Sequence, residues 1–352
     1  MTTTAATLRE QLETLQRAHK GAHMSDLARS LNLTEGQLIA TGCDTGEAVR
    51  LDPRWQDFLP RLPELGKVMV LTRNHAMVHE KEGAFGGVGL FGSMAQVVNH
   101  DVDLRIFLRH WRHAFAVQQP SHGRTLPSLQ IFDAAGHPVH KIFLRAHSDH
   151  EAYKTLVNDF TLTGEAPAFA APEPAAPRTA PGEVDREALR ARWLDLQDTH
   201  DFFPMIKDFG LTRRDANAAA GPDLAETLSP DALEALLDTA SKIGVPIMIF
   251  VGNPGCIQIH TGPVHRVERM GPWLNVLDPG FNLHARTDLV GEVWRVRKPT
   301  RDGIVTSIEL FDTKGRELAQ LFGERKPGKP ELPEWRAMAE SLPTLNPEGV
   351  VL

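Results

Sequence analysis

The strongest periodic signal lies near the middle of the chain. Leu189, Trp193, Leu196, His200 and Phe203 fall at i, i+4, i+7, i+11 and i+14, which predicts one helix with an apolar stripe and an imidazole set into it. An imidazole on a buried face is either a core histidine with its nitrogens hydrogen-bonded or a ligand aimed into a cavity, and periodicity leaves both open. A similar lead helix opens the chain with Leu8, Leu12 and Leu15. Residues 24–40 then read as helix, turn, helix, with Thr34 and Gln37 forming a capping box for the second. Beyond residue 65 the period switches to two. Strands are predicted at 67–72 and 75–80, with a third after a turn at 83–87, and then at 103–109 and 114–118. Residues 128–132 and 139–144 form a hairpin about the turn 133–136.

The second half repeats this order. Leu8 to Gln16 is echoed by Leu189 to Gln197, Leu33-Thr34-Glu35 by Leu211-Thr212-Arg213, Leu65-Gly66 by Ile243-Gly244, and Ile131-Phe132-Asp133 by Leu310-Phe311-Asp312. Offsets stay at roughly 180 residues, which chance similarity would not maintain. The chain is therefore expected to be α+β: a tandem structural duplication, each half a helical lead plus a large antiparallel β-sheet. The expected boundaries are an N-terminal repeat over 1–160, a Pro/Ala-rich extended linker over 161–186 and a C-terminal repeat over 187–352. Two pseudo-equivalent lobes predict a ligand cleft between them. His19 stands at the position of His200, but Lys20-Gly21-Ala22-His23 follows it instead of Asp201-Phe202-Phe203-Pro204, so the apolar frame singles out His200.

Composition narrows the chemistry. Over 352 residues, 41% are hydrophobic and 24% charged, enough for a proper core, and the formal charge of −7 argues against a partner held through phosphates. Cys43 and Cys256 form no metal-type cluster. The longest apolar run, 245–251, is strand length, and the first residues lack a basic-then-apolar leader, so a soluble cytoplasmic protein without membrane insertion is expected. Phosphate-binding glycine loops, His-Glu-x-x-His and Gly-x-Ser-x-Gly are absent. Segments 26–39 and 205–216 look like DNA-reading helix-turn-helix units, but residues 35–40 carry no cation to meet phosphate.

What remains is a set of cations in apolar settings: Arg105 within 103–109, Arg213 and Arg214 past the His200 segment, Arg295 and Arg297 alternating with Val296 and Lys298, and Arg325 after Gln320-Leu321-Phe322. Together with a histidine on an apolar stripe they suit a planar apolar ligand bearing carboxylates. Heme has that chemistry: imidazole for the iron, aromatic walls for the macrocycle, and cations for the propionates.

The duplicated layout and the segments Asp198-Thr199-His200-Asp201-Phe202-Phe203, Asp103-Leu104-Arg105-Ile106-Phe107, Val296-Arg297-Lys298-Pro299-Thr300 and Leu321-Phe322-Gly323-Glu324-Arg325 resemble the HemS/ChuS/PhuS-type hemin-degrading factors, cytoplasmic heme-handling proteins of Gram-negative bacteria. The resemblance runs through nearly the whole chain outside the linker. It implies two stacked nine-stranded-type antiparallel platforms with helical inserts and heme b held between the halves. It carries over His200 as the proximal iron ligand and Arg105 as the distal catalytic group, acting directly or through water. Arg213, Lys298, Gln320 and Arg325 would surround the propionates and macrocycle edge, with Phe107, Phe250 and Phe322 as walls. Phe322 stands where some relatives have a tyrosine and has no hydroxyl to donate. A proximal imidazole needs its second nitrogen held by an acceptor; a backbone carbonyl one turn back, Asp198 and Asp201 are the candidates. The implied function is heme utilisation for iron acquisition, with oxidative degradation driven by an external electron donor. The alternatives are a non-catalytic carrier delivering heme to a separate heme oxygenase, and a helix-turn-helix regulator.

Overall fold

The computed structural model describes residues 5–19, 24–121, 124–164, 167–171, 184–326 and 328–345. Among them the chain forms ten helices: α1 (Ala5–Ala18), α2 (Met24–Ser30), α3 (Glu35–Ala40), α4 (Trp55–Phe58), α5 (His150–Phe160), α6 (Arg186–Leu194), α7 (Phe202–Asp208), α8 (Arg213–Ala220), α9 (Ala232–Ile243) and α10 (Pro333–Glu340). The strands of the first half are β1 (Ala48–Leu51), β2 (Gly66–Arg73), β3 (Met77–Ala84), β4 (Val88–Phe91), β5 (Met94–Val98), β6 (Asp103–Phe107), β7 (His113–Ser121), β8 (Arg124–Phe132) and β9 (Pro138–Ser148). Those of the second are β10 (Ala225–Leu228), β11 (Ile247–Asn253), β12 (Cys256–Gly262), β13 (Val267–Met270), β14 (Trp273–Asp278), β15 (Phe281–Arg286), β16 (Glu292–Thr300), β17 (Gly303–Phe311) and β18 (Glu317–Gly323). No helix is long and apolar enough to cross a membrane among the described residues.

Two nine-stranded sheets result, ordered β1-β7-β8-β9-β2-β3-β15-β14-β13 and β10-β16-β17-β18-β11-β12-β6-β5-β4. Exchanging β1–β9 with β10–β18 one for one converts the first order into the second, so the strand order itself carries the duplication. Each sheet is completed by a three-strand meander from the other half of the sequence, a feature that similarity between repeats does not reveal. Register is equivalent as well. Phe115, Gln130, Lys141 and Leu71 pair in one row across β7, β8, β9 and β2. Trp294, Glu309, Gln320 and Phe250 occupy the matching row across β16, β17, β18 and β11. Facing strand residues share a side, so the two rows offer the same positions with different charges.

The chain divides into two compact units: Met1–Arg73, Lys81–Pro174 and Asn253–Ile257 in the first, and Asn74–Glu80, Ala175–Gly252 and Gln258–Leu352 in the second. In the first, inward residues of β2, β7, β8 and β9 pack with Trp55, Phe58, Leu62 and the α5 residues Tyr153, Leu156 and Phe160. The expected capping box is present: Thr34 accepts from the Gln37 backbone, and Gln37 Oε1 accepts from Thr34 N–H at 2.9 Å. Gly136, at φ 89°, lets this cap approach the β8–β9 turn; a Cβ there would lie 2.3 Å from Thr34 Oγ1. Of the Pro/Ala-rich stretch, residues 165–166 and 172–183 lie outside the described residues. Before them Phe169 packs on His113, ring centroids 4.6 Å apart.

In the second unit, one core lies beneath α9 and α10, with Ile247, Ile249, Val251, Ile308, Leu310 and Trp335. Another lies beneath α6, α7 and α8, with Trp193, Phe202, Ala216, Trp294, Val296 and Phe311. Here the predicted continuous helix through His200 does not form. α6 ends at Leu194, residues 199–201 make a single 3-10 turn, and α7 begins at Phe202. Two local causes favour the break. Asp198 and Asp201 form a reciprocal cap that competes with helical bonding, and Pro204 has no N–H to bond four residues back. Leu189, Trp193 and Leu196 are buried as the stripe requires, but Phe202 then takes the core position, edge-on to Trp193 at 4.6 Å. Phe203 is 63% exposed. His200 is therefore not an imidazole on a buried face: its side chain is 93% exposed. His19, its counterpart in the repeat, is exposed at the end of α1, and residues 20–23 lie outside the described residues.

Candidate functional site

His200 is presented by the short turn between α6 and α7. Its Nδ1 lies 2.6 Å from Asp198 Oδ1, and the same oxygen accepts its backbone N–H at 2.9 Å. The His200 backbone N–H holds the Asp198 carboxyl below the ordinary range; the imidazole and the Arg325 charge add to this, and partial burial opposes it. An anionic acceptor selects the Nδ1–H tautomer, leaving Nε2 as the nitrogen with a lone pair on a solvent-facing side chain. Asp201 is engaged elsewhere, accepting from the Asp198 N–H at 3.1 Å. On the other side of the turn, Arg325 Nη1 donates to Thr199 Oγ1 at 3.2 Å, while its Nε is buried with no partner among the described residues. Exposed Leu194 and Phe203 flank the turn in sequence.

Beneath Phe202 the second unit carries a buried charge network. Lys298, 2% exposed, donates to Glu309 Oε1 at 2.7 Å and to Ser307 Oγ at 3.1 Å. Arg213, the first residue of α8, reaches Glu309 Oε1 at 3.3 Å through Nη1 and Glu317 Oε2 at 3.1 Å through Nε. Asn217 Nδ2 donates to Glu309 Oε2 at 3.0 Å. Both cations face Phe202: Lys298 Nζ is 4.6 Å and Arg213 Cζ 5.0 Å from its ring centroid. Burial pushes the Glu309 carboxyl up, but the Lys298 and Arg213 charges outweigh it and hold that group well below the carboxylate range. Burial pulls the Lys298 ammonium down against the attraction of Glu309. Ser307 and Asn217 add a donor at each Glu309 oxygen, which favours its carboxylate form.

The structure thus gathers Arg213, Lys298, Gln320, Phe250 and Phe322 on one face of the second unit. Phe250 and Phe322 meet edge to face at 5.3 Å, Phe322 lies 6.0 Å from Lys298 Nζ, and the Gln320 amide donates to Glu317. Arg325 stands on the His200 turn. Arg105 and Phe107 lie in the first unit, on β6, where Arg105 pairs with Asp103 and faces Gln96, and Phe107 faces Met94. Burial pushes the Asp103 carboxyl up despite the Arg105 charge. Phe91, Met94 and Val98 leave this meander with exposed apolar side chains.

Glu309, Glu317, Asn217 and Phe202 escape reading from sequence. A signal for Glu309 exists: a single acid within 303–311, otherwise an apolar strand pattern, opposite the Lys298 strand. The helix-turn-helix resemblance loses its chemistry, since Arg214 forks onto Glu292 at 2.7 Å and Arg213 is bound as above. Arg295 and Arg297 share Glu226, each at 2.7 Å, and so hold structure together on the opposite side.

Comparison with known proteins converges on one family. The haemin-degrading HemS.ChuX domain matches residues 32–160 and 210–342. The hemin transport protein HmuS of Yersinia pestis is 35% identical over 338 residues, covering 96% of this chain and 97% of the relative. Among solved structures, holo-PhuS, a heme-binding protein from Pseudomonas aeruginosa, is 42% identical with a TM-score of 0.94, covering 97% of this chain and 100% of that one. ChuS, described as an E. coli heme oxygenase, is 33% identical with a TM-score of 0.85, covering 95% and 99%.

Proposed function

The chain belongs to the family of the haemin-degrading HemS.ChuX domain, and on that premise we propose that it binds heme b in the cytoplasm through His200 and opens the macrocycle oxidatively, releasing iron for use. The observation that carries this reading is the His200–Asp198 pair: an exposed imidazole whose Nδ1 is tied to a carboxylate, so that Nε2 is the donor offered outward. This is the arrangement in which a metal-ligating histidine is held by its other nitrogen, and the exposed Phe203 and Leu194 that flank the turn in sequence suit an apolar ring.

Each other residue has its own task. Gln320 and the fork of Arg213 suit a propionate at the edge of the macrocycle, with Arg325 fixing the turn that holds His200. Phe250, Phe322 and Phe107 supply aromatic surface. Lys298 acts through its field, because its ammonium is buried on Glu309. Arg105 takes the distal role, a guanidinium that would donate to negative charge on the bound group. When bound, heme supplies the redox chemistry, with electrons from an external donor. The protein's part is to ligate the iron, orient the ring and place a cation.

A carrier that hands heme to a separate heme oxygenase is the second reading. The engagement of Arg105 with Asp103 favours it, since the distal donor is already shared. Hemin-loaded protein treated with reductant, with catalase present, separates the two. Loss of the Soret band with release of iron is expected, and an unchanged Soret band overturns the degradative reading while leaving binding intact.

A further inference from the structure

Arg213 sits between two carboxylates of different character. Glu309 is 0% exposed and takes hydrogen bonds from Lys298, Ser307, Asn217 and Arg213. Glu317 is 40% exposed and among the described residues takes two, from Arg213 Nε and the Gln320 amide. The two donors on Glu317 are the same two suited to a ligand carboxylate at the edge of the site. Backbone position contributes to this placement. Glu317 opens β18 opposite Phe311, next to a register shift between Leu310 and Phe311, so its side chain stands at the rim of the sheet. The first unit has the same shift between Ile131 and Phe132 but carries Pro138 opposite Phe132. A carboxylate at this rim is thus a feature of the second unit.

We propose that Glu317 is a placeholder for the ligand's carboxylate, competing with it for Arg213 and Gln320 and so tempering hemin affinity, an inference that rests on the heme-binding reading above. Glu317 satisfies Arg213 and Gln320, and an incoming propionate takes over both donors while Glu317 turns into solvent. The exchange is cheap on the protein side, because an exposed carboxylate regains water for each donor it loses. Glu309 cannot make this exchange: leaving its four donors would strand Lys298 as a buried charge. Glu317 therefore sets a threshold. A flat apolar ring without carboxylates leaves the Glu317 contacts in place, whereas a dicarboxylate must displace them, so the threshold falls on the dicarboxylate alone.

Titration of the full-length protein with hemin and with hemin dimethyl ester, for wild type, Glu317→Gln and Glu317→Asp, tests the idea. Glu317→Gln is expected to bind hemin about fivefold more tightly, equivalent to ~1 kcal/mol, with an unchanged absorption spectrum and no gain for the ester. Glu317→Asp, which keeps the charge on a shorter arm, should fall between. Unchanged or weakened hemin binding by Glu317→Gln, or an equal gain with the ester, overturns the placeholder role. Failure of the underlying reading shows separately: wild-type hemin spectra that His200→Ala leaves unaltered.

Discussion

Asp198 Oδ1 holds His200 twice, accepting its backbone N–H at 2.9 Å and its Nδ1 at 2.6 Å. One oxygen thus fixes both the turn and the ring, and a rigid ring loses little freedom when Nε2 takes up a ligand. Asp198→Asn keeps an acceptor but removes the charge, and hemin affinity is expected to fall by about tenfold. His200→Ala should alter the iron coordination spectrum outright. Because the imidazole is exposed, the same variant should leave unfolding free energy within ~0.5 kcal/mol of wild type. An Asp198→Asn protein with wild-type affinity would remove the carboxylate from the site.

Phe202 and Phe203 exchange the roles that periodicity assigns them. Phe202 is buried between Trp193 and the two cations, whereas Phe203 faces solvent. Phe202→Ala should cost about 3–5 kcal/mol in urea unfolding. Phe203→Ala should change stability by less than ~0.5 kcal/mol and weaken hemin binding instead. The reverse ranking would mean that the helix does run on through His200.

Lys298 and Glu309 are buried together, and each alone is a liability. Glu309→Gln leaves the buried Lys298 without its carboxylate and should destabilise by about 3–5 kcal/mol, whereas Lys298→Met should cost less, because Arg213 still pairs with Glu309. Lys298→Met with Glu309→Leu should recover at least ~1 kcal/mol of the summed loss, read from a double-mutant cycle by urea unfolding. Strict additivity would show that the two side chains act independently.

These cases also show how far the sequence could be read. Duplication, several first-half strands, the Thr34–Gln37 cap and the 128–144 hairpin were legible, because each follows from local period or local capping chemistry; β1 and β5 were not, and β3 runs to Ala84 through residues that read as a turn. The exchange of the β4–β6 and β13–β15 meanders was not, since nothing within a strand says which sheet it joins. His200 was found by a stripe that does not exist as a single helix; its flanking aspartates and Pro204 already contained the signal for the break. Lys298 and Arg213 could be named as cations, but their partner Glu309 lies 11 and 96 residues away in sequence, and only the register of β16, β17 and β18 brings it beneath them.

His140 provides a pH test of the first unit, independent of any ligand. It is 1% exposed, with Nδ1 2.9 Å from Thr72 Oγ1, Trp111 stacked at 5.9 Å, and Nε2 buried without a partner among the described residues. Burial pushes its pKa from the usual 6.5 to about 3. The sign follows from which state binds the proton. Below pH 6.5 the unfolded chain protonates this imidazole and the folded chain does not, so its contribution is complete above that value and is lost as pH falls toward about 3. Once the unfolded group is mostly protonated, the loss approaches ~1.4 kcal/mol per pH unit. Burial lowers His75 and His113 in the same sense, while Asp133 raises His137 in the opposite one. The wild-type slope is therefore composite, and the difference from a His140→Gln variant isolates this residue. Urea-unfolding free energies measured between pH 7 and 4.5, a range chosen to begin at neutrality and stop near the carboxylate titrations, should converge for the two proteins as pH falls. Parallel curves would show that His140 takes up its proton in the folded state as readily as in the unfolded one, which its unpartnered, buried Nε2 forbids.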